Sequence, residues 1–402
     1  MTTTSHSAHR APPAVLSLGF RPFFLLGALF AVIMIALWVP WFLGFIEVPS
    51  AFPPVAWHAH ELLFGFMPAI MAGFLLTAVP NWTGRPPIAG WPLAGLAVLW
   101  LAGRVAIALS AHADPALVAA LSAAFPVLLA AVVGREIVLA RSTRNLKVVA
   151  VLMGLAVADL LFHYEIWQFG RPKHAQTVAV ALALLLVIII AGRIVPLFTA
   201  NWLKANRPSA PLPPAFDRLD LAAVVLSVAA LLGWTGLSVL APAPWARSLV
   251  AALMLGAAAA NLLRQARWQP HRTGAEPLLA ILHIAYAFVG VGFLLAGLGV
   301  LDNDYDYATA GIHAWTVGAI GTMMIAVMTR VSRGHTGRPL TASAGTVVLY
   351  ALILIAAAAR IAAALRPQAT PILLPLSGLA WIGAFGGFAA LYGRMLTRAR
   401  IK

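Results

Sequence analysis

Apolar residues in this chain fall into long runs separated by short polar connections. The runs lie at roughly 20–43, 57–79, 88–109, 115–139, 146–169, 175–198, 219–240, 245–267, 277–300, 308–330, 340–364 and 371–394. Each is close to the roughly 20 residues that a helix needs to cross the hydrocarbon core of a bilayer. Pro53-Pro54, Pro86-Pro87 and the segment Pro208 to Pro214 punctuate connections between runs, and none reads as a domain boundary. The pattern predicts an all-α polytopic membrane protein of twelve transmembrane helices, with residues 1–402 forming a single integral membrane domain in the lipid bilayer.

Composition agrees. Of 402 residues, 62% are hydrophobic and only 10% charged, against about 25% charged in soluble chains, which excludes an ordinary soluble enzyme. Cysteine is absent, so disulfides, thiolate zinc sites, iron–sulfur clusters and covalently attached haem are excluded together. A metal must be held by histidine, carboxylate or methionine.

The formal net charge of +15 raises a nucleic-acid reading, but its distribution points elsewhere. Of the 27 Lys and Arg, only Arg104, Arg171, Lys173, Arg247, Arg360 and Arg366 fall on the side of the spans opposite the termini. The rest, from Arg10 and Arg21 to the Arg394–Lys402 group, share the side of the two termini, while Asp302, Asp304 and Asp306 occupy an opposite loop. The positive-inside rule then predicts cytoplasmic termini and no nucleic-acid partner. The first 19 residues carry no cleavable signal, so the first helix is expected to be its own insertion signal.

Internal similarity suggests three pseudo-repeats of four helices, over about 18–140, 146–267 and 277–395. His60 to Pro86 and His313 to Pro339 are equally long, open on histidine and close on Thr-Gly-Arg-Pro. In the sixth span His174-Ala-Gln-Thr-Val parallels His313-Ala-Trp-Thr-Val, and Gly103-Arg104-Val-Ala in the third span parallels Ala359-Arg360-Ile-Ala in the eleventh.

Ionisable residues at membrane depth are costly and are candidate functional groups. His58, His60, His163, His174 and His313 lie near one membrane face, and His283 lies about 9 Å along its helix from the other. The plain alternative is that these histidines anchor helix ends; five at one depth favour a metal site, since imidazole is the usual ligand where thiolate is missing. His58 and His60 are two apart and diverge by about 200° on a helix, so they should face different neighbours. His58 with Glu61, and Asp159 with His163, are spaced to share a face. Either carboxylate could orient an imidazole or take a proton, and Asp159 could equally be a paired buried acid. Arg104 and Arg360 suit a haem propionate or a small anion; snorkelling to the headgroups is the alternative.

Three stretches carry a family resemblance: Leu18-Gly-Phe-Arg-Pro-Phe-Phe, Trp57-His-Ala-His-Glu-Leu-Leu-Phe-Gly-Phe, and Gly73-Phe-Leu-Leu-Thr-Ala-Val-Pro-Asn-Trp-Thr-Gly-Arg-Pro-Pro. The chain resembles the NnrS family of bacterial membrane proteins. The resemblance implies an inner-membrane protein with haem, non-covalent and of b type, and copper, acting in nitric oxide metabolism and defence against nitrosative stress. In helix number and in the histidines of helices two, six and ten the chain is also similar to haem–copper oxidase and nitric oxide reductase subunits. It departs from them at helix seven, which holds no histidine, so that likeness is one of architecture alone.

The expected function is binding or reduction of nitric oxide near the periplasmic face, with an electron donor that the sequence does not name. His60 and His313, with Arg104 and Arg360, are the expected haem-binding residues. His163 and His174, completed by His58 or Glu61, are the expected copper site, with His283 a weaker candidate; Glu61 and Asp159 would handle protons. The alternative is a twelve-helix transporter of a metal ion or small anion.

Overall fold

The computed structural model describes residues 13–239 and 243–401. Arg10 and Lys402, counted above with the charges of the terminal side, and Leu240, at the end of the seventh predicted span, lie outside the described residues.

Among the described residues, twelve helices are long and apolar enough to cross a membrane: α1 (Phe20–Phe42), α2 (Pro54–Thr83), α3 (Trp91–Ala108), α4 (Pro115–Leu139), α5 (Leu146–Phe169), α6 (Ala175–Asn206), α7 (Arg218–Val239), α8 (Pro244–Arg272), α9 (Pro277–Asp302), α10 (Tyr305–His335), α11 (Ala344–Leu365) and α12 (Pro367–Thr397). Among the described residues there is no strand. The protein is a multi-pass membrane protein, and its spans follow the hydrophobic runs of the sequence because a backbone in lipid must satisfy its own hydrogen bonds.

Local chemistry sets the helix ends. Pro54, Pro115, Pro244 and Pro277 stand at first helical positions, where the missing N–H costs nothing. Asp114 and Asp304 accept from backbone N–H groups as N-caps of α4 and α10. Gly84 and Gly337, the glycines of the two Thr-Gly-Arg-Pro turns, both have positive φ (69° and 79°), which glycine adopts without a Cβ clash.

α2 and α10 form the middle of the bundle, with 83% and 78% of their apolar windows buried against 22% for α7. α12 packs against α1 and closes the bundle. At that end Arg21 donates to the carbonyls of Leu396 (2.9 Å) and Arg398 (2.6 Å), tying the first helix to the last.

α2 and α10 share a further feature. Each contains a π-helical stretch, Glu61–Phe66 and Ala314–Gly321, and each stretch begins at the residue after one of the two aligned histidines, His60 and His313. A π turn widens the helix and redirects the side chains beyond it, and such turns recur at functional sites. α6 runs from Ala175 to Asn206 without one.

Candidate functional site

Two polar groupings flank the start of α2 at the end of the bundle opposite the termini, and His58 and His60 separate them. The first is a cavity of about 530 Å³ lined by residues of α1, α2, α6, α10, α11 and α12, within the range of roughly 300–1,000 Å³ of small-molecule sites. His58, His313 and Arg360 stand in its wall, with Lys173, Gln176 and Asp306 among its other polar lining residues. His58 stacks on Trp38, ring centroids 3.7 Å apart at 18°, and its Nδ1 has no hydrogen-bond partner among the described residues. His313 Nδ1 donates to the carbonyl of Thr309 one turn earlier at 2.7 Å. With its proton on Nδ1, the ring keeps a lone pair on Nε2, as in most metal-binding histidines. Arg360 makes no side-chain hydrogen bond or ion pair among the described residues, and its Nε is buried without a partner.

A smaller apolar cavity of about 90 Å³ sits where α2, α6 and α10 meet, and Ile320 lines both. No polar surface lines it, and dry cavities of this kind admit small apolar molecules.

The second grouping is sealed. His60, fully buried, places Nδ1 2.8 Å from Glu61 Oε1 and Nε2 2.8 Å from Asp159 Oδ1. Glu61 accepts from Arg104 Nη1, whose Nη2 donates to Ser122 Oγ at 3.2 Å. Ser122 donates in turn to Asp159 Oδ2 at 2.9 Å. His163 Nε2 stands 3.6 Å from Asp159 Oδ1 and has no hydrogen-bond partner among the described residues. Phe52 and Phe162 close the grouping with edge contacts to His60.

The tertiary structure therefore partitions the expected residues differently from the sequence reading. His58 and His60 do face different neighbours, but His58 joins His313 at the cavity and His60 joins His163. Arg104 leaves the expected pairing with Arg360, because the buried carboxylate of Glu61 needs a counterion and Arg104 provides it. Glu61 turns toward His60 and away from His58, and neither Glu61 nor Asp159 lines the cavity. His174 joins neither grouping: it is the N-cap of α6, and its backbone N–H donates to Glu165. His283 lies elsewhere, with Nε2 2.9 Å from Thr199 Oγ1. Trp38 and Ser122 escaped the sequence reading, since a tryptophan or serine in an apolar span carries no periodic signal of its own.

The chain matches the family described as NnrS protein over residues 14–400, nearly its whole length. No curated protein matches it.

Proposed function

The chain belongs to the NnrS family, and from that premise we propose that it is a haem protein of the bacterial inner membrane that binds nitric oxide in the cavity between His58, His313 and Arg360. At the level of the family, membership fits a nitric oxide-related haem and copper membrane protein. The observation that carries the finer reading is the cavity itself, a drug-sized space in which, among the described residues, His58 Nδ1 and Arg360 Nε are buried without partners and His313, held through Nδ1, keeps Nε2 for a ligand. Haem fits this donor set. His313, its tautomer held by Thr309, would ligate the iron, and Arg360 would pair with a propionate through charge-assisted hydrogen bonds. When bound, haem supplies an open coordination position for a diatomic ligand.

The chain's own residues do the rest. His58, held flat against Trp38, is a polar group of the cavity wall placed to meet a bound ligand. Nitric oxide is small and apolar, and the apolar cavity beside Ile320 offers it a way in from the lipid side. Reduction of two nitric oxide molecules to nitrous oxide and water consumes two electrons and two protons, so turnover further requires an electron donor. In this reading both termini are cytoplasmic and the cavity faces the periplasm.

The test is the visible spectrum of the purified protein, with and without reductant and nitric oxide. The expected result is about one haem per chain with a Soret band that shifts on adding nitric oxide, and its loss or marked change in His313→Ala. A colourless protein, from cells with ample haem, overturns the reading and returns the carrier of a metal ion or small anion.

A further inference from the structure

The sealed grouping around His60 is arranged as a metal site. His60 Nε2, Asp159 Oδ1 and His163 Nε2 all lie within 4.8 Å of one another, with the two contacts to Asp159 Oδ1 at 2.8 and 3.6 Å. Ligand atoms around a tetrahedral ion with bonds of about 2.1 Å stand about 3.4 Å apart, so small rotations of these side chains suffice to receive one.

Three observations separate this arrangement from a simple buried hydrogen-bond network. The first is the orphan: His163 is only 8% exposed, yet Nε2 meets no donor or acceptor and points at Asp159. A buried polar nitrogen left without a partner costs on the order of 1–3 kcal/mol, and an ion would supply the partner. The second is the outer support. Glu61 holds His60 Nδ1, leaving Nε2 as the ligand atom, which is the carboxylate–histidine–metal arrangement. Arg104 and Ser122 then link Glu61 to Asp159 and present Oδ1 inward. The third is charge: two carboxylates and one guanidinium leave one negative charge in a space closed by phenyl rings, which His60 balances only when protonated on both nitrogens and which a bound ion would balance in that proton's place.

We infer that His60, Asp159 and His163 bind a divalent first-row transition ion, with Glu61, Arg104 and Ser122 as positioning residues. Two imidazoles and one carboxylate, with no thiolate or thioether, suit such an ion, and the affinity order among them favours copper(II). This deepens the family-level reading by naming ligands, and it does not rest on the haem cavity.

The experiment is metal analysis of protein purified from cells grown with added copper, alongside electron paramagnetic resonance of the oxidised sample. One transition ion per chain beyond haem iron is expected, and, if copper, nitrogen couplings from two imidazoles. His163→Ala and Asp159→Asn should lose it while keeping haem, whereas His313→Ala should keep it while losing haem, so the two readings fail separately. Glu61→Gln, which leaves the three ligands in place, should weaken retention against a chelator by about 10- to 100-fold. A wild-type protein without such an ion, or one retained equally by His163→Ala and Asp159→Asn, overturns the inference.

Discussion

Arg264 donates through Nε to Asp220 Oδ1 at 2.7 Å, and both side chains are almost wholly buried between α7 and α8. The network continues through Tyr286 to Asn261 (2.8 Å) and from Asn261 to Ser227 (2.8 Å). It thereby joins α7, the least buried span, to α8 and α9. Removing one partner leaves a buried charge uncompensated, at a cost of about 3–5 kcal/mol. Arg264→Met is expected to lower the midpoint of thermal unfolding in detergent markedly, and the double variant Asp220→Leu with Arg264→Met to recover part of the loss. Equal midpoints for wild type and Arg264→Met would show that the pair contributes nothing.

The crossing of α9 and α10 depends on small residues. A Cβ on Gly311 would stand 2.5 Å from the backbone nitrogen of Ala296, and one on Gly299 would stand 2.4 Å from that of Ala308. Small residues let membrane helices approach until their backbones touch. Gly311→Val should therefore separate the helices and, because His313 follows two residues later, reduce haem binding as well as yield of folded protein. Gly95→Val, with open space around its Cβ, is the control that should change neither.

Asp217, just before α7, is exposed and pairs with Arg267, with Nη1 3.0 Å from Oδ1. The hydrogen bond from Arg267 holds its carboxyl below the usual value of 3.8. A carboxylate with a lowered folded pKa stabilises the fold above its unfolded pKa and loses that contribution as pH falls through the folded value. Thermal midpoints of wild type and Asp217→Asn should differ by a small, salt-sensitive amount at neutral pH and converge progressively below about pH 4. A gap that does not change with pH would assign the effect to packing.

Orientation is testable because the chain has no cysteine. Asp302, at the end of α9, and Thr143, in the connection between α4 and α5, are exposed at opposite ends of the bundle. In intact cells, labelling of Asp302→Cys should be blocked by a membrane-impermeant thiol reagent, and Thr143→Cys should react only after permeabilisation. The reverse pattern would invert the topology.

Arg360 is a cation of the cavity wall with no side-chain partner among the described residues, so Arg360→Gln should bind haem more weakly while keeping the Soret position set by the iron ligand. Titration of haem-depleted protein with hemin measures this. Unchanged affinity would mean that Arg360 meets no propionate.

The sequence by itself determined the twelve spans, since each needs about 20 apolar residues in a row and no distant contact can change that. It also determined that His58 and His60 part company, because the twist of a helix separates positions two apart whatever surrounds them. It marked the two histidines, His60 and His313, whose next residues open the π-helical stretches of α2 and α10. Tertiary structure alone decided the partners. His58 meets His313, and His60 meets His163, because the order of helices around the bundle sets α5 on one side of α2 and α10 on the other, and no periodicity within a single helix encodes that order. The same holds for Arg104 and Arg360, similar in their local sequence and opposite in their surroundings. Burial gave Arg104 a carboxylate neighbour in Glu61, while Arg360 faces a cavity that opens only when six helices come together.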